Sequence, residues 1–358
     1  MASGVAESAS SPSVPMVRAD WFIVCAEQEL GDAPLKAMVW DTPLVVFRTS
    51  AGDVAVFEDR CPHRNVPLSK GVIEQDGLRC AYHGWCFGTD GQVTEVPGLD
   101  PSDRVPAVGA TAWPSRLAQG FVWVWADPQQ VPVGEPFHFK VADQPGYLTV
   151  RKRLPVKASL HAVLENALDV PHTSFLHRGL FRGGAVERQP LTCRVRRWDD
   201  RVEAEFIGEA RPEGLAARWL APSGAELEHW DRFVLPAATE VEYRMGVDAH
   251  VVLSSMCTPV SAHETIMFAV VSIKARLPNW LLKMAITPIA MRIFEQDAVI
   301  LELQTDNEAR FGGARHASTA ADLLGGHILG LLRRHARGER GEADGPLRSE
   351  REVTLHVG

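Results

Sequence analysis

The chain has 358 residues, of which 46% are hydrophobic and 23% are charged, proportions typical of a soluble globular protein. Its length allows two domains of ordinary size. Its formal net charge of -8 argues against nucleic acid as a partner, because it predicts no basic groove.

The first residues, MASGVAESASSPSVP, are rich in Ser and Ala and contain neither a basic segment nor an apolar core. This composition predicts a disordered leader over residues 1–16 rather than a signal peptide. The longest apolar stretch, residues 277–294, is interrupted by Lys283, Pro288 and Arg292, so we expect no membrane span. The six cysteines lack the dense spacing of a disulfide framework, which favours a cytoplasmic protein with reduced thiols.

Residues 17–135 are predicted to form a compact all-β domain. The runs WFIVCA, PLVVFRTSAGDVAVFED and GFVWVWAD are rich in β-branched and aromatic residues. The segments TSAGD (49–53) and GTDGQ (88–92) have the composition of hairpin turns. The proline-rich segment ADPQQVPVGEP (126–136) is a plausible domain boundary.

Residues 136–336 combine helical and strand-like patterns. KASLHAVLENALDV (157–170) has helical apolar spacing, and four strand-like runs follow it. A long helical stretch covers residues 279–311. This order predicts an α+β domain, with an antiparallel sheet flanked by helices in a helix-grip arrangement. We expect residues 337–358 to be a poorly ordered tail.

Four metal-ligating side chains lie in two short segments of the first domain. Cys61 and His63 form C-x-H, and after sixteen residues Cys80 and His83 form C-x-x-H. A structural zinc site is one alternative, but zinc fingers pair Cys with Cys and His with His. A Rieske-type [2Fe-2S] cluster needs two cysteines on one iron and two histidines on the other. Two loops that each contribute one cysteine and one histidine supply this set.

These two segments resemble the Rieske domain of Rieske non-haem iron oxygenases. The matching features in CPHRNVPLSKG and LRCAYHGWCF are Arg64 after the first histidine, the L-S-x-G turn and the Y-H-G-W sequence. Cys86 follows the second segment directly and receives no ligand role. The resemblance extends over residues 17–311, although the motifs are sparser after the first domain.

The second domain contains the segment ENALDVPHTSFLH, with His172 and His177 five residues apart. On a regular helix this step rotates the side chains by about 140°, so the two rings could not meet at one ion. Val170 precedes Pro171 and is biased away from helix, which predicts a break there. With that break the two histidines can supply part of a 2-His-1-carboxylate Fe(II) site.

The carboxylate of that site is sought in EQDAVILELQ (295–304). The segment is similar to the family pattern E-D-x-x-I-V-E-x-Q, in which the aspartate ligates iron, and this favours Asp297. Glu302 and Glu295 are the competitors. Glu295 is the stronger competitor, because Gln296 separates it from Asp297 and so alters the usual E-D adjacency.

The resemblance also implies a function, that of a terminal oxygenase in which mononuclear Fe(II) activates O2. The expected substrate is a largely hydrophobic, ring-containing small molecule. Electrons would come from an external reductase or ferredoxin, because the sequence has no second cluster motif and no G-x-G-x-x-G segment. The rival class is a non-catalytic Rieske electron-transfer protein with a fused ligand-binding domain.

The resemblance further implies a head-to-tail homotrimer, in which a cluster in one subunit reduces the iron of its neighbour. Asp169 lies three residues before His172 and can hydrogen-bond to that ring without binding the metal. It is expected to bridge His172 to His83 of the partner subunit. Asn166, one turn earlier, occupies a position where related enzymes have an asparagine near the iron.

Overall fold

The computed structural model describes residues 15–74, 76–100, 102–177, 189–210, 225–247, 249–342 and 345–357. Most of the predicted leader therefore lies outside the described residues. The first part of the chain forms three small antiparallel sheets, ordered β1-β11-β10, β2-β3-β4-β9 and β5-β6-β7-β8. Their strands are β1 (Trp21–Ala26), β2 (Leu35–Val39), β3 (Thr42–Arg48), β4 (Val54–Glu58), β5 (Val72–Glu74), β6 (Gly77–Arg79), β7 (Cys86–Gly88), β8 (Val93–Glu95), β9 (Ala112–Trp113), β10 (Ser115–Ala118) and β11 (Phe121–Trp125).

Both predicted hairpin turns are confirmed. Between β3 and β4, the Thr49 N–H donates to the Asp53 carbonyl at 2.9 Å, and Gly52 has a φ of 97°. Between β7 and β8, the Gly88 N–H donates to the Gln92 carbonyl at 2.9 Å. Turns of this kind require left-handed backbone conformations, which glycine adopts without steric cost.

The second part of the chain is built on one antiparallel sheet of eight strands, ordered β12-β18-β17-β16-β15-β14-β13-β19. Its strands are β12 (Leu148–Val156), β13 (Gln189–Arg197), β14 (Arg201–Ile207), β15 (Glu228–Val234), β16 (Ala238–Met245), β17 (Ala249–Pro259), β18 (Thr265–Ala275) and β19 (Ser349–Val357). The described helices are α1 (Leu160–Ala167), α2 (Val170–Leu176), α3 (Asn279–Arg310) and α4 (Gly325–Ala336).

The helices contact the sheet at different strands. The long helix α3 packs on β12, α1 packs on β16 and β17, and α4 packs on β14. Apolar side chains of β17 and β18 meet α3 around Leu282, which is 2% exposed. The α+β class and the sheet flanked by helices are therefore confirmed. This packing brings α3 beside the segment that contains α1 and α2.

The two parts of the chain share a hydrophobic core. Trp123 and Trp125 of β11 belong to the same buried cluster as Met256 of β17. Hydrogen bonds also cross between the parts, from the Thr258 hydroxyl to the Ile23 carbonyl at 2.6 Å and from the Trp40 N–H to the Pro259 carbonyl at 2.9 Å. The first domain is thus held against β17 by apolar burial and by satisfied backbone groups.

The expectation of a poorly ordered tail over residues 337–358 is wrong for its last part. Residues 349–357 form β19, which pairs with β13 along its whole length. The charged side chains of this segment lie on an edge strand, where Glu352 pairs with Arg194 at 3.0 Å. Charged side chains are common on edge strands, because they discourage pairing with other chains.

Candidate metal centres

Two loops of the first domain have matching backbone geometry. In the loop after β4, the Cys61 N–H donates to the Val66 carbonyl at 2.9 Å, and the Cys61 carbonyl accepts from Asn65 at 2.8 Å. In the loop between β6 and β7, Cys80 makes the equivalent bonds, to Trp85 at 2.8 Å and from Gly84 at 3.1 Å. Each turn thus closes four and five residues after its cysteine.

The residue four positions after each cysteine has a left-handed backbone. Asn65 has a φ of 60° and Gly84 a φ of 72°. Asparagine and glycine tolerate this region best. A side chain at Gly84 would also lie 2.9 Å from Pro97. The two loops therefore present one cysteine and one histidine each from a similar, locally determined turn.

The cysteines point inward and the histidines outward. Cys61 and Cys80 are 1% and 3% exposed, whereas His83 is exposed and its ring centroid lies 4.6 Å from that of His63. His63 stacks on Trp85, with ring centroids 4.5 Å apart. Burial raises the pKa of the Cys61 thiol, and the neighbouring Cys80 raises it further. Burial therefore favours the neutral thiols, and a bound metal would be needed to stabilise the thiolates that ligate a cluster.

The spread of these groups suits a cluster better than a single ion. Among the described residues, the one group of His, Cys, Asp or Glu whose ligand atoms all lie within 4.8 Å of one another is in the second domain. The four loop residues therefore do not converge on one atom, as a zinc ion would require. A two-iron cluster with inner cysteines and outer histidines fits them.

Cys61→Ser is expected to abolish cluster assembly, because it removes one of two inner thiolates. Cys86→Ser is the matched control, since Cys86 is buried nearby on β7 but its thiol lies 3.9 Å from Glu74. Visible absorbance and acid-labile sulfide measure the cluster. Retention of the full absorbance by Cys61→Ser would remove Cys61 from the ligand set.

In the second domain, the predicted helix break occurs before the proline but not at the predicted residue. Helix α1 runs from Leu160 to Ala167 and is capped by Ser159. Asp169 is extended, with φ −99° and ψ 104°, and Val170 already starts α2. The expectation that Val170 leaves the helix is wrong, because Pro171 is tolerated in a first helical turn, where no N–H is needed.

The break brings His172 and His177 together. His172 lies in the first turns of α2, and His177 is its C-cap. Their Nε2 atoms are 3.3 Å apart. The Oδ1 atom of Asp297, on α3, lies 3.5 Å from Nε2 of His172 and 3.1 Å from Nε2 of His177.

This spacing fits a metal ion. Ligand atoms about 2.1 Å from an ion, at right angles to one another, are separated by about 3.0 Å. The three atoms form a nearly equilateral triangle of that size, as in the facial triad that binds non-haem Fe(II) and leaves other positions open. The donor set of two imidazoles and one carboxylate therefore fits iron in both chemistry and geometry.

Each of the three side chains has a polar neighbour. Asp169 Oδ2 accepts from the His172 backbone N–H at 3.2 Å and lies 3.3 Å from His172 Nδ1. The Asn166 amide donates to Asp297 Oδ1 at 3.4 Å. Asp169 and Asn166 thus each contact one member of the triad.

The third neighbour, Gln296, escaped the sequence analysis. Its Oε1 atom lies 2.9 Å from Nδ1 of His177. The sequence contained one signal, because Gln296 stands where the family pattern has glutamate and aspartate adjacent.

The competing carboxylates lie elsewhere. Glu302 forms an ion pair with Lys157. Glu295 is exposed and does not belong to the group of converging ligand atoms. Among the three acids considered from the sequence, Asp297 is the one beside the histidines.

The electrostatics of the site favour a cation. Burial lowers the pKa of His172, but the hydrogen bonds and negative charges of Asp169 and Asp297 outweigh burial and raise that pKa to about 9. Two carboxylates thus lie beside the His172 ring and favour a positive charge there. A divalent ion would supply that charge in place of a proton.

The comparisons with known proteins agree with this architecture. A family model of the Rieske [2Fe-2S] domain matches residues 20–111, and a model of the vanillate O-demethylase oxygenase C-terminal domain matches residues 156–337. The chain belongs to the Rieske oxygenase alpha-subunit family. Members of this family contain a Rieske [2Fe-2S] cluster and use mononuclear iron with O2.

Two curated relatives illustrate the range of the family. The chain is 29% identical to Protein TIC 55, chloroplastic, of Arabidopsis thaliana, over 77% of this chain and 51% of that protein. It is 29% identical to the oxygenase component of dicamba O-demethylase of Stenotrophomonas maltophilia, over 60% of this chain and 63% of that protein. The chain thus spans about half to two thirds of the length of these relatives.

A solved structure shows the same fold over most of the chain. The crystal structure of dicamba monooxygenase bound to dicamba has a TM-score of 0.75 at 23% identity, and it covers 90% of this chain and 98% of its own. Within the described residues, none of the helices is both long and apolar enough to cross a membrane.

Proposed function

We propose that this protein is the terminal oxygenase component of a Rieske-type system. The observation that carries the proposal is the presence, in one chain, of the paired Cys-His loops and of a converging triad of two histidines and an aspartate. Cys61, His63, Cys80 and His83 would hold the [2Fe-2S] cluster, and His172, His177 and Asp297 would hold Fe(II). The mononuclear iron would supply O2 activation once electrons arrive from a Rieske cluster.

The protein's own residues prepare the iron site. The Asp169 carboxylate accepts a hydrogen bond from Nδ1 of His172. This bond keeps the ring proton on Nδ1 and leaves Nε2 free for the metal. Asn166 donates to Asp297 and so orients its carboxylate. A metal held by three protein ligands of this kind would keep other coordination positions for substrate and O2.

For electron transfer we propose a path between subunits of a head-to-tail homotrimer. His83 is exposed at the tip of its loop, and the side chain of Asp169 is 28% exposed beside the triad. Both groups can therefore be reached by a neighbouring molecule. In this assembly Asp169 would bridge His172 to His83 of the partner subunit, and the heterologous contact would close into a ring.

The proposed substrate is a largely hydrophobic, ring-containing small molecule. The relatives support it, because they are Rieske terminal oxygenases that act on aromatic or hydrophobic compounds. One relative is named as a dicamba O-demethylase, which makes demethylation one candidate reaction. Hydroxylation, desaturation and cyclisation are the other reactions that we propose.

An external reductase or ferredoxin would recharge the cluster, and we propose a cytoplasmic location for the protein. The competing function is electron transfer without catalysis, with the second domain as a ligand-binding module. The convergence of the triad to 3.1–3.5 Å favours the oxygenase, since an electron carrier has no need of a second metal site.

The proposal is tested by oxygen consumption. The purified protein, with a generic reductase and NADH, is expected to consume O2 when presented with a suitable member of a panel of aromatic and alicyclic compounds. Treatment with a chelator that removes the mononuclear iron should abolish this uptake without bleaching the cluster. Addition of Fe(II) should restore it. A protein that contains the cluster but binds no mononuclear iron would be an electron carrier.

A further inference from the structure

Gln296 occupies a specific position beside the triad. It precedes Asp297 on α3, is half-buried, and its Oε1 atom lies 2.9 Å from Nδ1 of His177. A carbonyl oxygen can only accept a hydrogen bond, so Nδ1 of His177 must donate. The neutral ring then has no proton on Nε2, the atom that faces Asp297 at 3.1 Å.

We propose that Gln296 is the positioning residue that fixes the tautomer and orientation of His177 for metal binding. The inference rests on the proposed function, because it assigns a role toward the mononuclear metal. His177 is 2% exposed, so bulk water cannot readily replace Gln296 as the hydrogen-bond partner of its ring. Each member of the triad then has its own support, with Asp169 at His172, Asn166 at Asp297 and Gln296 at His177.

The support of His177 is neutral, unlike that of His172. Asp169 and Asp297 contribute two negative charges, which balance a divalent ion. A glutamate at position 296 would accept the same hydrogen bond and add a third negative charge. The amide therefore orients the ring without making the site more negative. A comparison of glutamate and leucine at position 296 can thus separate the effect of the hydrogen bond from the effect of the charge.

The test measures Co(II) affinity, independently of turnover. Protein freed of mononuclear iron, with its cluster retained, is titrated with Co(II) and followed by the metal's visible absorption. Gln296→Leu is expected to weaken Co(II) binding about 10- to 100-fold, the usual effect of losing a partner of a metal-bound histidine. Gln296→Glu is expected to bind Co(II) at least as tightly as the unchanged protein, because it keeps the acceptor.

Gln304→Leu is the matched control, since Gln304 lies on the same helix, is exposed and donates a hydrogen bond to Glu308 rather than to a member of the triad. It should bind Co(II) normally. The positioning role is overturned if Gln296→Leu binds Co(II) as well as the unchanged protein does, or if Gln296→Glu is as weak as Gln296→Leu. If the unchanged protein itself binds no Co(II), the proposed function fails together with the inference.

Discussion

Replacing Asp297 with alanine is expected to remove the mononuclear metal and to end substrate-dependent O2 consumption, while the Rieske cluster stays intact. Among the described residues, Asp297 supplies the one carboxylate oxygen within 3.5 Å of Nε2 of both histidines. Loss of a ligand should weaken metal binding by more than about 100-fold, because loss of a ligand's hydrogen-bonding partner already costs 10- to 100-fold.

Iron and acid-labile sulfide analysis, with the visible spectrum, separates the two centres in this variant. The controls are Glu295→Ala and Glu302→Ala, which remove the competing acids from the same helix. Glu302 pairs with Lys157, so its loss should affect at most surface stability. The assignment of Asp297 would be refuted if Glu295→Ala lost the iron and Asp297→Ala kept it.

Asp169→Asn is expected to leave both metal centres in place but to slow electron transfer between them strongly, by about 10- to 100-fold or more. Asparagine caps helices as well as aspartate does, so the cap on the His172 N–H should survive. The negative charge on the proposed path between the centres is lost. Stopped-flow oxidation of the pre-reduced cluster, with substrate and O2 present, measures the rate.

Asp306→Asn is the matched control for this variant, because Asp306 is an exposed aspartate on α3. Its cluster should be oxidised at the normal rate. The bridging role would be contradicted if Asp169→Asn lost its mononuclear iron while the iron that remained turned over normally. That result would make Asp169 a metal ligand.

The features that the sequence predicted well depend on short segments. The loops of Cys61 and Cys80 are closed by hydrogen bonds to residues four and five positions later. The short Cys-His spacing in the sequence was therefore enough to predict that each loop presents both side chains together. The break between α1 and α2 was expected from Pro171, although it falls one residue earlier than predicted. A proline restricts its neighbours but does not decide which of them caps the next helix.

Features that join distant segments were harder to predict. The final strand β19 carries a charged pattern that resembles a solvated tail, and its pairing with β13 spans about half the chain. For Gln296, the only signal in the sequence was that it separates a glutamate and an aspartate that are adjacent in the family pattern. Its contact with His177 joins residues 119 positions apart, and no local rule says which ring an amide will reach.

The sequence by itself determined which side chains are candidates for the two centres and which family the chain resembles, because those signals are local in spacing. The tertiary structure decided which acid stands beside the histidines. Asn166 and Asp297 are separated by 131 positions and meet because α3 packs against the segment of α1 and α2. A carboxylate on a long helix can face several directions, and the packing of the helix selects the one that faces the two histidines.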